Sequence, residues 1–425
     1  MEEKMECDQN ISVESISEAD QKQLDAGALF VLKSKGSWLH CGYHLTTSIV
    51  APGLLTLPFS LAKMGWGAGV AYLLVAAVVT FYSYNLISLV LEHHAQQGNR
   101  LLRFRDLARL VLGSFWGRYY IGPMQLILCL ASVVGGILLA GITLKAMYLA
   151  EKPHGTMKLY EFIAFAGLFM LLLAQIPSFH SLRHLNLVSL ILCLVYSACA
   201  TASSIYIDFY FYNILKLILQ ATVAPPVKGK MFKGLCLCYV VVISTFFSVA
   251  IAGYWAFGNQ AQSNILSNFF ASDGSVLVPK SLYMMINFFC IVQIFAVSVV
   301  YLQPTNEVLE QLLADPKKHQ YSPRNVIPRI ISRSLVVAFS TLIAAMIPFF
   351  GDLTALIGAF AILPMDFMIP AVMYNITFGS SERKAIYWVN IVIITVFSGL
   401  TVLGCISSVR QIALDAKSYK LFANL

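Results

Sequence analysis

Ten stretches of this chain are apolar over about twenty residues, the length an α-helix needs to cross a hydrocarbon core of about 30 Å. They run approximately over 38–62, 67–91, 119–149, 159–177, 185–207, 234–257, 281–303, 334–350, 354–377 and 386–408. In lipid every backbone N–H and C=O must be satisfied within the protein, so repeated spans of this kind fold as helices. The expected class is an all-α polytopic membrane protein. Composition agrees. Of the 425 residues, 58% are hydrophobic and only 12% charged, about half the charge of an average soluble domain. Lys and Arg (29) exceed Asp and Glu (21). In a membrane protein that excess fits basic loops against an anionic leaflet and does not call for nucleic acid.

The first 36 residues are polar and acidic (Glu2, Glu3, Glu6, Glu14, Glu18, Asp20, Asp25). No basic stretch precedes a short apolar core, so a cleavable signal peptide is not expected and 1–36 reads as a disordered cytosolic tail. Residues 37–408 form the transmembrane unit and 409–425 a short tail. The nine cysteines are odd in number and mostly inside apolar runs, with no disulfide spacing. Cys236 and Cys238 have no His or carboxylate nearby to complete a metal site.

Basic loops set the orientation. Arg100, Arg103, Arg105, Arg109 and Arg118 lie in 92–118; Arg183 in 178–184; Lys228, Lys230 and Lys233 in 225–233; Lys317, Lys318, Arg324, Arg329 and Arg333 in 314–333; Arg383 and Lys384 in 378–385. All are expected on the cytosolic side with the N-terminus, whereas 258–279 has no Lys or Arg and reads as external. Parity then fails at one point. Five crossings leave the chain outside near 207, yet the lysines at 228–233 require it inside. Only 209–224 is available to return, and it is short, with Lys216 near its middle. Sixteen helical residues reach roughly 24 Å. If that helix forms there are eleven spans and the C-terminal tail is extracytosolic.

Three spans carry chemistry. In the first, Thr46, Thr47 and Ser48 precede Pro52-Gly53. A mid-membrane Pro-Gly pair breaks the helical ladder. Broken helices of this kind hold substrate in many transporters, although a simple kink with hydroxyls bonded back to the backbone is the plainer reading. In 119–149, Ser132, Gly135, Gly136 and Gly141 serve close helix packing or substrate contact. In 281–303, Asn287, Gln293 and Ser298 are inter-helix glue or cavity lining. Asp366, between Pro364 and Pro370, is an intramembrane carboxylate and so a candidate for proton handling. His44 is the other titratable group at depth. The glycines around Gly65–Gly69 do not make a nucleotide fingerprint. Eight histidines, placed in loops and at helix ends, are too few for a membrane di-iron enzyme, and an enzyme is not expected. The glycosylation triplets at Asn10 and Asn375 fall on the expected cytosolic side.

Several longer motifs run almost end to end: Asp25-Ala-Gly-Ala-Leu-Phe-Val-Leu-Lys-Ser-Lys-Gly36, His44-Leu-Thr-Thr-Ser-Ile-Val-Ala-Pro52, Leu91-Glu-His-His94, Gln175-Ile-Pro-Ser-Phe-His-Ser-Leu-Arg183, Val227-Lys-Gly-Lys-Met231, Gly253-Tyr-Trp-Ala-Phe-Gly258 and Pro348-Phe-Phe-Gly-Asp-Leu353. Through them the chain resembles the plant amino acid/auxin permease family, in particular its GABA-permease subgroup. The resemblance implies a LeuT-type five-plus-five inverted repeat with an extra helix. It implies proton-coupled import of GABA and other small amino acids across a plasma membrane, driven by the proton gradient without a cofactor. The implied substrate site joins Thr47, Ser48, Val50, Ala51 and Gly53 of the broken first helix with Ser132, Gly136 and Gln293, and the proton would ride on Asp366 or His44. The chain departs from the subgroup in one place. Ile205–Thr222 runs straight through where the family has an external loop and a glycine-broken sixth helix. A shortened, splice-type variant is the expectation there. Such a variant could act as a regulator of, or partner to, a full-length homologue.

Overall fold

The structure, a computed structural model, describes residues 42, 45–47, 49–50, 52–97, 101, 103–176, 183–211, 230–270, 275–347, 350–379, 384–415 and 422. Among these, everything regular is helical apart from one isolated bridge between Phe270 and Val276. Eight helices are long and apolar enough to cross a membrane.

The first span is broken where the sequence says it must be. Gly42, Leu45–Thr47 and Ile49 are helical, Pro52–Thr56 is a 3₁₀ turn, and α1 (Leu57–Met64) continues beyond it. Pro52 has no N–H to donate, so the regular ladder cannot pass through it. The Val50 N–H still reaches the Thr46 carbonyl at 2.8 Å, and the Thr56 hydroxyl bonds the Gly53 carbonyl at 2.7 Å. Gly65, at φ +79°, turns the chain directly into α2 (Trp66–Gln96). A residue with a side chain is strained at that φ.

The basic loop expected at 92–118 contains an amphipathic helix, α3 (Phe104–Leu112), which packs Leu107 and Ala108 inward. The following span, α4, begins at Ser114, earlier than its hydropathy suggests, and runs to Glu151 through a π-helical turn at Gly117–Ile121. The short α5 (Leu159–Leu173) leads towards α6 (Arg183–Phe211), which extends beyond its expected end at 207. Next come α7 (Lys230–Phe257) and the single-turn α8 (Ile265–Asn268). The long α9 (Lys280–Leu313) contains Pro304. The eleventh candidate segment lies, from residue 212 onward, outside the described residues.

The stretch 314–333, expected as a basic loop, is only partly a loop. Pro323 opens α10, which runs to Met346 and carries Arg329 and Arg333 into the protein. Both are buried because Glu310 of α9 meets them. Arg333 Nη1 also donates to the carbonyls of Ala174 (3.2 Å) and Ile176 (2.8 Å) beyond the end of α5. Nearby, Glu307 accepts from Arg103 (2.7 Å) and Arg105 (2.9 Å), clipping the start of α3 to α9. Low hydropathy made these arginines look like loop. Pairing to acids on a neighbouring helix is what admits them to the interior. The chain ends in α11, running from Phe350 to Phe378 with π-helical turns at Gly358–Ile362 and Pro364–Met368, and α12 (Lys384–Asp415).

At the centre, α9 is the most enclosed span and packs against α4, α6, α5 and α10. Small residues permit this. A Cβ on Gly136 would stand 2.1 Å from Ser298 Oγ, and one on Gly141 would stand 2.5 Å from Ile163 Cγ1. The outer faces carry exposed Leu168 and Leu172 of α5, Leu335 and Phe339 of α10, and Val392, Leu403 and Ile406 of α12. For a spanning protein that surface meets lipid chains.

Helix directions follow from contacts along the first span. Gly42 faces Gly234 of α7, whereas Pro58 faces Gly253. Thr47 bonds the carbonyl of Asn186 near the start of α6, and Val50 meets Gln293, which touches Cys193 one stage further along α6. Both α6 and α7 therefore run parallel to the first span. Two consecutive spans pointing the same way leave Phe211 and Lys230 at opposite ends of the bundle. That is the mismatch the loop charges require.

Candidate functional site

A cavity of about 640 Å³ opens beside the break in the first helix. Ile49, Gly53, Leu54 and Leu57 form one wall. The opposite sides come from α2 (Tyr72 to Tyr84), α7 (Tyr239 to Phe247), Leu128 of α4, Tyr301 of α9 and the π-helical part of α11 (Gly358 to Phe367). The walls are mostly apolar. Asp366 is the one charged residue among the described residues that line the space, and its side chain is partly open to it.

Local sequence places Asp366 there. It sits midway along the apolar stretch Thr354–Phe378, in a π-helical turn that starts at Pro364. Single π turns inside helices re-aim side chains and gather at functional sites. Tyr84 of α2 borders the same space and lies near the Asp366 carboxyl. Tyr239 and Tyr301 lie close enough to feel its charge. Thr80, one turn before Tyr84 on α2, borders the cavity with Tyr239 and donates to the Ala76 carbonyl at 2.8 Å, and the rings of Tyr84 and Tyr239 stand 6.5 Å apart. The result is one carboxyl in an aromatic, hydroxyl-bearing pocket. Such a group takes a cation: a proton, or an organic ammonium favoured by nearby ring faces.

The residues expected to bind substrate or carry the proton separate into two sets. Gly53 of the substrate set and Asp366, the proton candidate, border the cavity. The others described do not. Thr47 is buried and donates to the Asn186 carbonyl at 3.2 Å. The Val50 carbonyl accepts from Gln293 Nε2 at 2.9 Å. Ser132 bonds back to Leu128 of its own helix at 2.8 Å, and Gly136 is closed off by Ser298. Asn287 bonds the Tyr283 carbonyl. Of the polar groups on α9, Gln293 and Ser298 thus act as packing partners of the first helix and α4. Ser48, Ala51 and His44 lie outside the described residues. The sequence reading missed Thr80, Tyr84, Tyr239 and Tyr301, because tyrosines on apolar helices read as core. The i, i+4 pair Thr80–Tyr84 was the available signal. No cluster of His, Cys, Asp or Glu able to hold a metal occurs among the described residues.

A broken first span, consecutive parallel helices and an acid-bearing cavity in the membrane describe a transporter. The chain belongs to the transmembrane amino acid transporter protein family, whose profile matches residues 34–211 and 209–411. This is a family of transporters and not of enzymes. Among its relatives is a protein named GABA transporter 1 from Arabidopsis thaliana, 51% identical over 437 positions that cover 95% of this chain and 97% of that protein. Lysine histidine transporter-like 1 from the same plant is 28% identical, covering 95% of this chain and 94% of its own. Lysine histidine transporter-like 6 is 26% identical over 91% and 93%. The first alignment spans 437 positions, more than the 425 residues available, so at least twelve of its positions are gaps in this chain. The family match breaks at 209–211, the point at which α6 ends and a sixth helix was expected.

Proposed function

We propose that this protein is a proton-coupled secondary active transporter that imports GABA and other small neutral amino acids across the plasma membrane, with its N-terminus cytosolic. The observation that carries this reading is the cavity joining the break in the first helix to Asp366. A small zwitterion in lipid needs counter-charge and freed backbone groups in one screened space, and the two meet there. Kinship with the protein named GABA transporter 1 supports GABA as the substrate. The proton gradient supplies the driving force and no cofactor takes part. Ser48, Ala51 and Gly53 serve the substrate directly, Thr47, Val50 and Gln293 hold the break in shape, and Ser132 and Gly136 belong to the α4 face that packs beside it. The titratable groups available at depth for coupling are Asp366 and His44.

The test is uptake of labelled GABA by yeast lacking its own amino acid permeases, with surface expression verified. Uptake should rise as external pH falls and collapse with a protonophore. Absence of uptake from protein verified at the surface sinks the reading.

One observation favours a second reading. The family match breaks where the parallel helices α6 and α7 need a return path. A shortened chain that assembles with a full-length homologue and alters its transport fits that break. Co-expression decides it: a partner must change the homologue's uptake, whereas an independent transporter adds to it.

A further inference from the structure

We propose that Asp366, with the rings of Tyr84, Tyr239 and Tyr301, is the receptor for the ammonium group of an ω-amino acid. This rests on the reading of the chain as an amino acid transporter and names the substrate class of its cavity.

Three features separate an ammonium site from a bare proton site. A proton needs no room, yet the Asp366 side chain is partly open to a cavity of about 640 Å³. Tyrosines from three different helices, Tyr84, Tyr239 and Tyr301, line the same cavity as the carboxyl, and aromatic faces attract organic cations. Among the described residues lining the cavity there is no Lys, Arg or His to neutralise Asp366. A carboxylate so deep in the membrane calls for a partner, and the walls leave that partner to be supplied by the ligand.

The same geometry sorts amino acids by where their charges lie. In an α-amino acid the carboxylate and the ammonium share one carbon. Seating its ammonium on Asp366 would press two carboxylates together in an apolar space. In GABA the methylene chain separates the two ends. Its carboxylate can then lie away from Asp366, towards Gly53 at the break in the first helix, while the methylenes cross the apolar walls. The cavity thus favours ω-amino acids over α-amino acids.

Equilibrium binding of labelled GABA to the purified full chain, over a range of pH, tests this directly. Asp366→Asn should weaken GABA binding about thirtyfold or more, the loss typical of removing one partner of a buried charge pair. The residual binding should be weak at every pH. Asp366→Glu, with the charge retained, should recover part of the affinity. Excess β-alanine should compete with the label better than alanine does. Unchanged GABA affinity in Asp366→Asn overturns the proposal. So does a variant that binds GABA as tightly as wild type at low pH and loses its pH dependence, since the carboxyl then carries only a proton. Failure of the wild-type chain to bind GABA overturns it as well. GABA binding lost in Asp366→Asn, together with no uptake by wild-type chain at the cell surface, would reject transport and leave the ammonium site standing.

Discussion

Polar groups inside this bundle act less through what they are than through what faces them. Gln293 is fully buried and its amide holds the Val50 carbonyl at the break in the first helix. Gln293→Leu leaves that carbonyl without its donor, a cost of about 1–3 kcal/mol. The expected outcome is weaker GABA uptake and a lower melting temperature, measured on the same preparation. Glu310 carries more weight, since it meets both Arg329 and Arg333 in the interior. Removing one member of a buried ion cluster leaves an uncompensated charge and costs about 3–5 kcal/mol. Glu310→Gln is therefore expected to lower surface expression and thermal stability sharply, as read by fluorescence-detected gel filtration after heating. Little change would mean that water reaches these arginines.

Elements show the same dependence on neighbours. Helix α9 crosses α4 closely because Gly136 has no side chain opposite Ser298. Gly136→Val has to push the two helices apart, which typically costs about 1–3 kcal/mol, and should reduce both stability and uptake. Helix α3 is held at the end of the bundle by Arg103 and Arg105 on Glu307. Glu307→Gln keeps the shape and removes the charge, so α3 should become more exposed to backbone hydrogen exchange while α9 stays protected. Sequence hydropathy expected ten apolar spans, and eight of them are helices long and apolar enough to cross a membrane among the described residues; the break in the first was also legible, because a Pro-Gly pair is a local property. It placed the start of α10 too late. Arginines lower hydropathy, and nothing local reveals that Glu310 will neutralise them from another helix.

At the scale of the molecule, parity is the strongest constraint. The basic loops require the chain to return between α6 and α7, and the contacts of the first span show those helices parallel. The family match breaks at the same place. Inserting the corresponding segment of the 51%-identical relative at 209–211 is expected to raise uptake per molecule at the cell surface. An unchanged rate would show that this chain already has a complete transport path.

Sequence alone determined that the chain is an all-α membrane protein, where most of its spans lie and that the first is broken. Each follows from hydropathy, loop charge or backbone chemistry, which a residue carries with it wherever it folds. Asp366 also stood out, because a carboxylate in an apolar span is costly in any fold. Its surroundings were decided only by tertiary structure. Tyr84, Tyr239 and Tyr301 come from three helices far apart in the chain, and no local pattern reports that they line one cavity with that carboxyl. The same holds for Thr47, Ser132 and Gly136. Their residue types suit a binding site, but Thr47 bonds a neighbouring helix, Ser132 bonds back to its own and Gly136 faces α9, since a buried hydroxyl takes the nearest carbonyl and a glycine admits the closest helix.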